Sequence, residues 1–102
     1  MDSLEALRLT KKDNVAVSLG EVERGAEVRV RIGKEANYIK VLDKIPFGFK
    51  IALTDIAKGF NVIKYGESIG IATQNIKRGQ LVHIHNLKGT RGRGDLVKGS
   101  SK

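Results

Sequence analysis

The chain has 102 residues, a net charge of +8, 40% hydrophobic residues, 12 glycines and no cysteine. That length sets one small domain, the hydrophobic content makes it globular rather than disordered, and the missing cysteine excludes disulfides, thiolate catalysis and thiolate metal sites. No run of about 18 apolar residues predicts a membrane span, and the start "MDSLEALRLTKKDN" lacks the apolar core of a secretory signal, so a cytoplasmic location is expected.

In chain order, "SLEALRL" (3–9) reads as either a helical turn or a first strand, so residues 1–12 are an N-terminal extension or that strand. "NVAVSL" (14–19) and "EVRVRI" (27–32) alternate apolar and polar side chains, the signature of half-buried strands. "NYIKVL" (37–42) and "FKIAL" (49–53) are further strand-like runs. "GESIGIA" (66–72) carries two glycines, which predicts a bulge or a close backbone approach.

A decapeptide recurs through these runs, as "EVERGAEVRV" (21–30), "DIAKGFNVIK" (55–64) and "NIKRGQLVHI" (75–84). Each copy has Gly followed three residues later by Val. Gly25, Gly59 and Gly79 are expected at positive φ in a tight turn, with Val28, Val62 and Val82 in the strand that follows. Asp55 and Asn75 are expected to cap the amides of their own turns. The copies are too short and too unevenly spaced for a solenoid. Together these features predict an all-β domain of short strands and tight Gly turns, with at most one or two short helical turns.

"QLVHIHNL" (80–87) holds both histidines. Read as a strand, it points His83 and His85 to one face, their Cα atoms roughly 6.6 Å apart. Leu81 and Leu87 would flank them, with Ile84 and Asn86 on the other face. Such a pair suits a metal, a proton transfer or a hydroxyl ligand; it also suits plain structural hydrogen bonds. Residues 88–102 form a basic, Gly-rich tail, expected to be flexible. It carries Lys88, Arg91, Arg93, Lys98 and Lys102 against Asp95. With 5% aromatic residues the chain offers few stacking platforms, so nucleic acid is not the expected partner despite the charge.

The segments "KDNVAV" (12–17), "IPFGFKIALTDIAKG" (45–59), "VIKYGESIGIAT" (62–73), "IKRGQLVHIHNL" (76–87) and "RGRGDL" (91–96) resemble a known family. It comprises the small subunits, or N-terminal domains, of altronate and galactarate dehydratases and sulfolactate sulfo-lyases. The resemblance implies a β-clip fold of the SAF type over residues 13–87. It implies the small subunit of a two-subunit sugar-acid dehydratase, a hydro-lyase, inactive alone and completing the active site of a large catalytic subunit. A sulfolactate sulfo-lyase small subunit is the alternative within the family. A stand-alone SAF module for nucleic acid or an acidic partner, or a β-clip domain for assembly or carbohydrate recognition, is the alternative outside it.

The same resemblance implies site residues. His83 and His85 are candidate catalytic groups and candidate ligands of an incomplete metal site. The metal would be a divalent ion, iron or manganese, of the assembled enzyme, with none tightly bound to this chain alone. Lys50, Lys64 and Asn86 are candidate substrate-binding residues. For Asn86 the competing role is holding a backbone turn, and for the lysines it is plain solvation. Arg91 and Arg93 are candidate contacts to the large subunit. A homo-oligomer is compatible with this reading. Phe49 stands where the family often has histidine, which weakens the transfer of a particular substrate.

Overall fold

The computed structural model describes residues 4–89. It is all-β, with no helix among those residues. The strands are β1 (Glu5–Leu7), β2 (Val15–Ser18), β3 (Glu27–Ile32), β4 (Glu35–Lys40), β5 (Lys50–Ala52), β6 (Asn61–Lys64), β7 (Glu67–Ala72), β8 (Leu81–Val82) and β9 (Leu87–Gly89). Six form one sheet in the order β4-β3-β1-β2-β5-β8, and three form another in the order β6-β7-β9. All neighbours are antiparallel except β1 and β3.

Within the segment at 3–9, Glu5–Leu7 is a strand, and a central one. Ala6 is fully buried between β2 and β3. The sheet begins at Glu5, ahead of residue 13, where the resemblance set the start of the domain. At the other end, β9 takes Lys88 and Gly89 out of the assigned tail and into the small sheet. The remainder of the tail, with Arg91 and Arg93, lies outside the described residues.

The recurring glycine turn appears four times, not three. The missed copy is Ile45-Pro46-Phe47-Gly48, which feeds β5. It has Lys44 where the other copies have an acid or Asn, and Ile51 in place of the Val. In all four the glycine has φ between 83° and 93°. The next residue's N–H donates to the carbonyl two before the glycine, at 3.0–3.1 Å. This is the type II geometry that demands a residue without Cβ at its third position. Each glycine N–H also donates to a carbonyl at or just past the end of another strand: Val41, Ser18, Ala72 or Ala52.

The turns work in pairs. Val22 and Ile45 exchange two backbone hydrogen bonds of 2.8 Å, and so do Ile56 and Ile76. All four side chains are buried, one pair in each core. The first core joins Ala6, Val28, Val30, Ile39 and Ile51 to Val22 and Ile45. The second packs Val15, Ala52 and Val82 of the large sheet against Val62 and Ala72 of the small one, around Ile56 and Ile76. Burying one such Ile or Val contributes about 1.5–3 kcal/mol.

Asp55 and Asn75 cap turns, but not their own. Asp55 Oδ1 accepts from Arg78 N at 2.9 Å, and Asn75 Oδ1 accepts from Lys58 N at 2.9 Å. Each acid or amide thus holds the opposite turn of the pair. In the first pair the equivalent positions, Glu21 and Lys44, form an exposed ion pair of 3.4 Å instead.

Gly79 and Gly59 share the same backbone demand but not the same surroundings. A Cβ on Gly79 would lie 2.5 Å from the Lys40 carbonyl oxygen, whereas one on Gly59 would meet nothing within 4 Å. Gly59→Ala should cost about 1–2 kcal/mol, the left-handed penalty alone. Gly79→Ala should cost about 2–5 kcal/mol, because overpacking adds to that penalty. Urea unfolding of both variants measures the difference; equal midpoints would remove the role given to the Lys40 contact.

Candidate functional site

The strand alternation that begins at Leu81 stops at Val82. Residues 83–86 form a tight turn between β8 and β9, so His83 and His85 are turn residues and not strand neighbours on one face. The cause is Asn86. Its Oδ1 accepts from His83 N at 2.9 Å, and its Nδ2 donates to Leu81 O at 2.8 Å. Its own N–H donates to His83 O at 3.0 Å. The side chain is 4% exposed, with both ends committed to backbone. That is the turn-holding role weighed against substrate binding.

The turn lifts the segment off the sheet. Ile84 is 82% exposed, His85 is exposed, and Gln74 Nε2 donates to His85 O at 2.8 Å. His83 is half-buried. Its ring lies against Phe49, with centroids 4.5 Å apart and planes at 46°. Phe49 itself packs on the first core.

Lys50 sits on the other face of the sheet. It pairs with Val17 and Val82, and its neighbour Ile51 points into the first core while Ala52 and Val82 point into the second. Alternation thus separates Lys50 from the Phe49–His83 stack. The two groups still share one end of the sheet, the start of β5 and the end of β8. Burial lowers the pKa of Lys50, and the nearby charge of Lys64 lowers it further. Lys64, half-buried at the end of β6, has its Nζ 5.4 Å from the centroid of the Tyr65 ring. The structure therefore couples the two lysines electrostatically and sets the His83 ring apart from Lys50.

Lys64 is placed by a residue that the sequence reading passed over. Asp13 is 2% exposed, and its carboxylate accepts five hydrogen bonds. The donors are Leu9 N, Thr10 N, the Thr10 hydroxyl at 2.6 Å, Tyr65 N and Gly66 N. Tyr65 and Gly66 form the β6–β7 hairpin turn with φ of 59° and 74°. Two positive φ values make a type I′ turn, in which a tyrosine costs about 1–2 kcal/mol. The two amide bonds to Asp13 offset that strain. Asn14 extends the clamp: Oδ1 accepts from Ile63 N at 2.7 Å, and Nδ2 donates to Asn61 O at 3.0 Å. The only visible signal is an Asp-Asn pair directly before a strand.

The described residues do not supply the donor set of a resident metal. Among the described residues no three His, Asp or Glu side chains come together to hold an ion. Two imidazoles on an outer turn fall short of the three protein ligands that a catalytic site usually needs.

A family model described as the altronate/galactarate dehydratase SAF domain matches residues 4–90. Altronate dehydratase of Escherichia coli (strain K12) is 41% identical over 85 residues, which are 83% of this chain and 16% of that enzyme. Galactarate dehydratase (L-threo-forming) of the same organism is 34% identical over 76 residues, 74% of this chain and 14% of that one. The chain therefore corresponds to a small part of these dehydratases. Subunit alpha of the (2R)-sulfolactate sulfo-lyase of Chromohalobacter salexigens is 46% identical over 52 residues, 51% of this chain and 55% of that subunit.

Two outcomes follow from this geometry. Burial pushes the Asp13 carboxyl up, but its hydrogen bonds from Thr10, Gly66 and Tyr65 outweigh that and hold it below the ordinary 3.8. A depressed carboxyl stabilises the fold above its unfolded value, and that stability is lost as pH falls through the folded value. Stability should therefore be flat above about pH 5 and decline below about pH 4. Asp13→Ala should cost about 3–5 kcal/mol, since it strands buried donors, and flatten that acid limb. Chemical unfolding across pH measures both. Separately, Lys64→Met should raise the Lys50 pKa, leaving it short of the free value because burial persists. An NMR titration of the Lys50 side chain that shows no shift would uncouple the two lysines.

Proposed function

The chain belongs to the altronate/galactarate dehydratase SAF domain family, and on that premise we propose that it is the small component of a two-part hydroxy-acid lyase. The observation that carries this reading is the match over residues 4–90, taken with the size of the sulfo-lyase alpha subunit. That subunit is a separate polypeptide, and a 52-residue match spans 55% of it, so it is a chain of comparable length. A large catalytic polypeptide would be the partner and the cytoplasm the location.

The chemistry is elimination from a hydroxylated acid. The proton α to the carboxylate passes to a base, a C=C bond forms as the C–O bond at the β carbon breaks, and the hydroxyl takes a proton from an acid and leaves as water. In the sulfo-lyase variant a C–S bond breaks and sulfite leaves. Lys50 and Lys64 supply positive charge for a carboxylate, whose negative charge grows as the α proton departs. The half-buried Lys50 ammonium has no carboxylate within ion-pair distance among the described residues, which leaves it available to a substrate. His83 and His85 lie on the turn at the same end of the sheet. They would exchange protons with a substrate held across that end. The divalent metal of the assembled enzyme would take its ligands chiefly from the large polypeptide.

The test is co-expression with a large lyase polypeptide, followed by assays of water loss from altronate and galactarate and of sulfite release from (2R)-sulfolactate. Joint purification and activity that needs both chains are expected. Lys50→Ala should raise KM, and His83→Ala or His85→Ala should cut turnover by about a hundredfold or more with assembly intact. Full activity of the large chain alone would overturn the reading. So would salt-sensitive nucleic-acid binding without any lyase partner.

A further inference from the structure

The large sheet curls until its two edges nearly meet. Leu42 N, just past β4, donates to Gly79 O at 2.8 Å. Leu81 N at the start of β8 donates to Asp43 Oδ2 at 2.9 Å. The result resembles a small barrel around the first core, and one mouth of it is open. This mouth is a cavity of about 330 Å³. Its floor is apolar, made by Val30, Ile32, Ile39 and Leu53, and Arg8 and Arg78 stand on its rim.

Both guanidinium groups are held in place by carbonyl oxygens. Arg8 Nε donates to Asp13 O at 3.1 Å and Nη2 to Lys11 O at 2.6 Å. Arg78 Nη2 donates to Tyr38 O at 3.3 Å. Neither has a carboxylate within ion-pair distance among the described residues, whereas Arg29 and Arg31 both pair with Glu5. Positioned cations without counter-charges, over an apolar floor, match the ordinary make-up of a small-ligand site at a barrel mouth. Arginine's planar fork suits carboxylate and phosphate oxygens.

We propose that this mouth binds a small organic anion, with a compact apolar body on the floor and a carboxylate or phosphate between Arg8 and Arg78. The site is separate from the lysine pair: Leu53 lies just past one end of β5 and Lys50 at the other. It does not depend on the lyase reading.

The experiment is an NMR titration of the 15N-labelled full chain. Phenyl phosphate and phenylacetate share a ring and differ in anionic head; benzyl alcohol and inorganic phosphate are the controls. At least one aryl anion should produce saturating shifts at the amides of Ile32, Tyr38, Leu53 and Arg78. A Kd of about 1 mM or below is what ligands of this size reach at ordinary efficiency. The head group that binds better identifies the anion. Arg78→Gln should weaken binding about tenfold or more, because it removes a charge-assisted hydrogen bond. Its backbone N–H stays on Asp55, so the turn is retained. A Lys50→Ala/Lys64→Ala double variant should bind as well as the parent. Non-saturating shifts, equal affinity in Arg78→Gln, equal binding of benzyl alcohol, or loss of binding in the lysine variant would each overturn the proposal.

Discussion

One buried carboxylate ties the two sheets of this domain together. Asp13 sits in the loop between β1 and β2 of the large sheet, and it holds the hairpin turn of the small sheet through Tyr65 N and Gly66 N. The next residue, Asn14, grips β6 at Ile63 and Asn61. A charged acceptor is suited to this position because five donors converge on two oxygens. A neutral amide has one acceptor oxygen and would leave donors unpaired in a buried place, at about 1–3 kcal/mol each. The same carboxylate makes a tyrosine tolerable at positive φ and sets where β6 ends. The location of Lys64 therefore follows from a residue far from it in sequence.

The paired glycine turns complete the frame. Each pair puts two buried aliphatic side chains back to back and joins them by two short backbone hydrogen bonds. A single turn of this kind would leave those backbone groups buried and unpaired. The pair satisfies them, and each pair seeds one of the two cores. The second pair is reinforced by Asp55 and Asn75, each reaching the other's turn. The first relies on a surface ion pair between Glu21 and Lys44, an interaction usually worth no more than about 1 kcal/mol.

What could be read from the sequence follows how local each determinant is. Strands β2 and β3 were legible because alternation over four or more residues is a local pattern. Three of the four turns were legible from Gly-x-x-Val, and the fourth would have been with Ile51 admitted beside Val. "VHIHNL" misled because it alternates as a strand does. What bends it is Asn86, whose side chain replaces ladder partners with bonds to Leu81 and His83. The crossed capping of Asp55 and Asn75, and the whole role of Asp13, depend on which backbone amides arrive from distant residues. Composition and spacing carry no record of that.

The division of the candidate groups between two faces has a mechanistic consequence. Lys50 belongs to the side of the large sheet that faces the small sheet, where Lys64 ends β6, and His83 belongs to the side that packs on the first core. A molecule lying flat on either face meets only one set. A molecule lying across the end of the sheet, past Lys50 and His83, meets both. That end is open, with Phe49 at its edge and Ile84 projecting beyond it. An open site leaves charged groups in water, where a carboxylate–ammonium attraction at 4 Å is worth only about 1 kcal/mol, against about 4 kcal/mol near a protein surface of lower effective dielectric. On the reading proposed above, a second protein surface over that end would displace this water and strengthen the attraction of Lys50 for an acid.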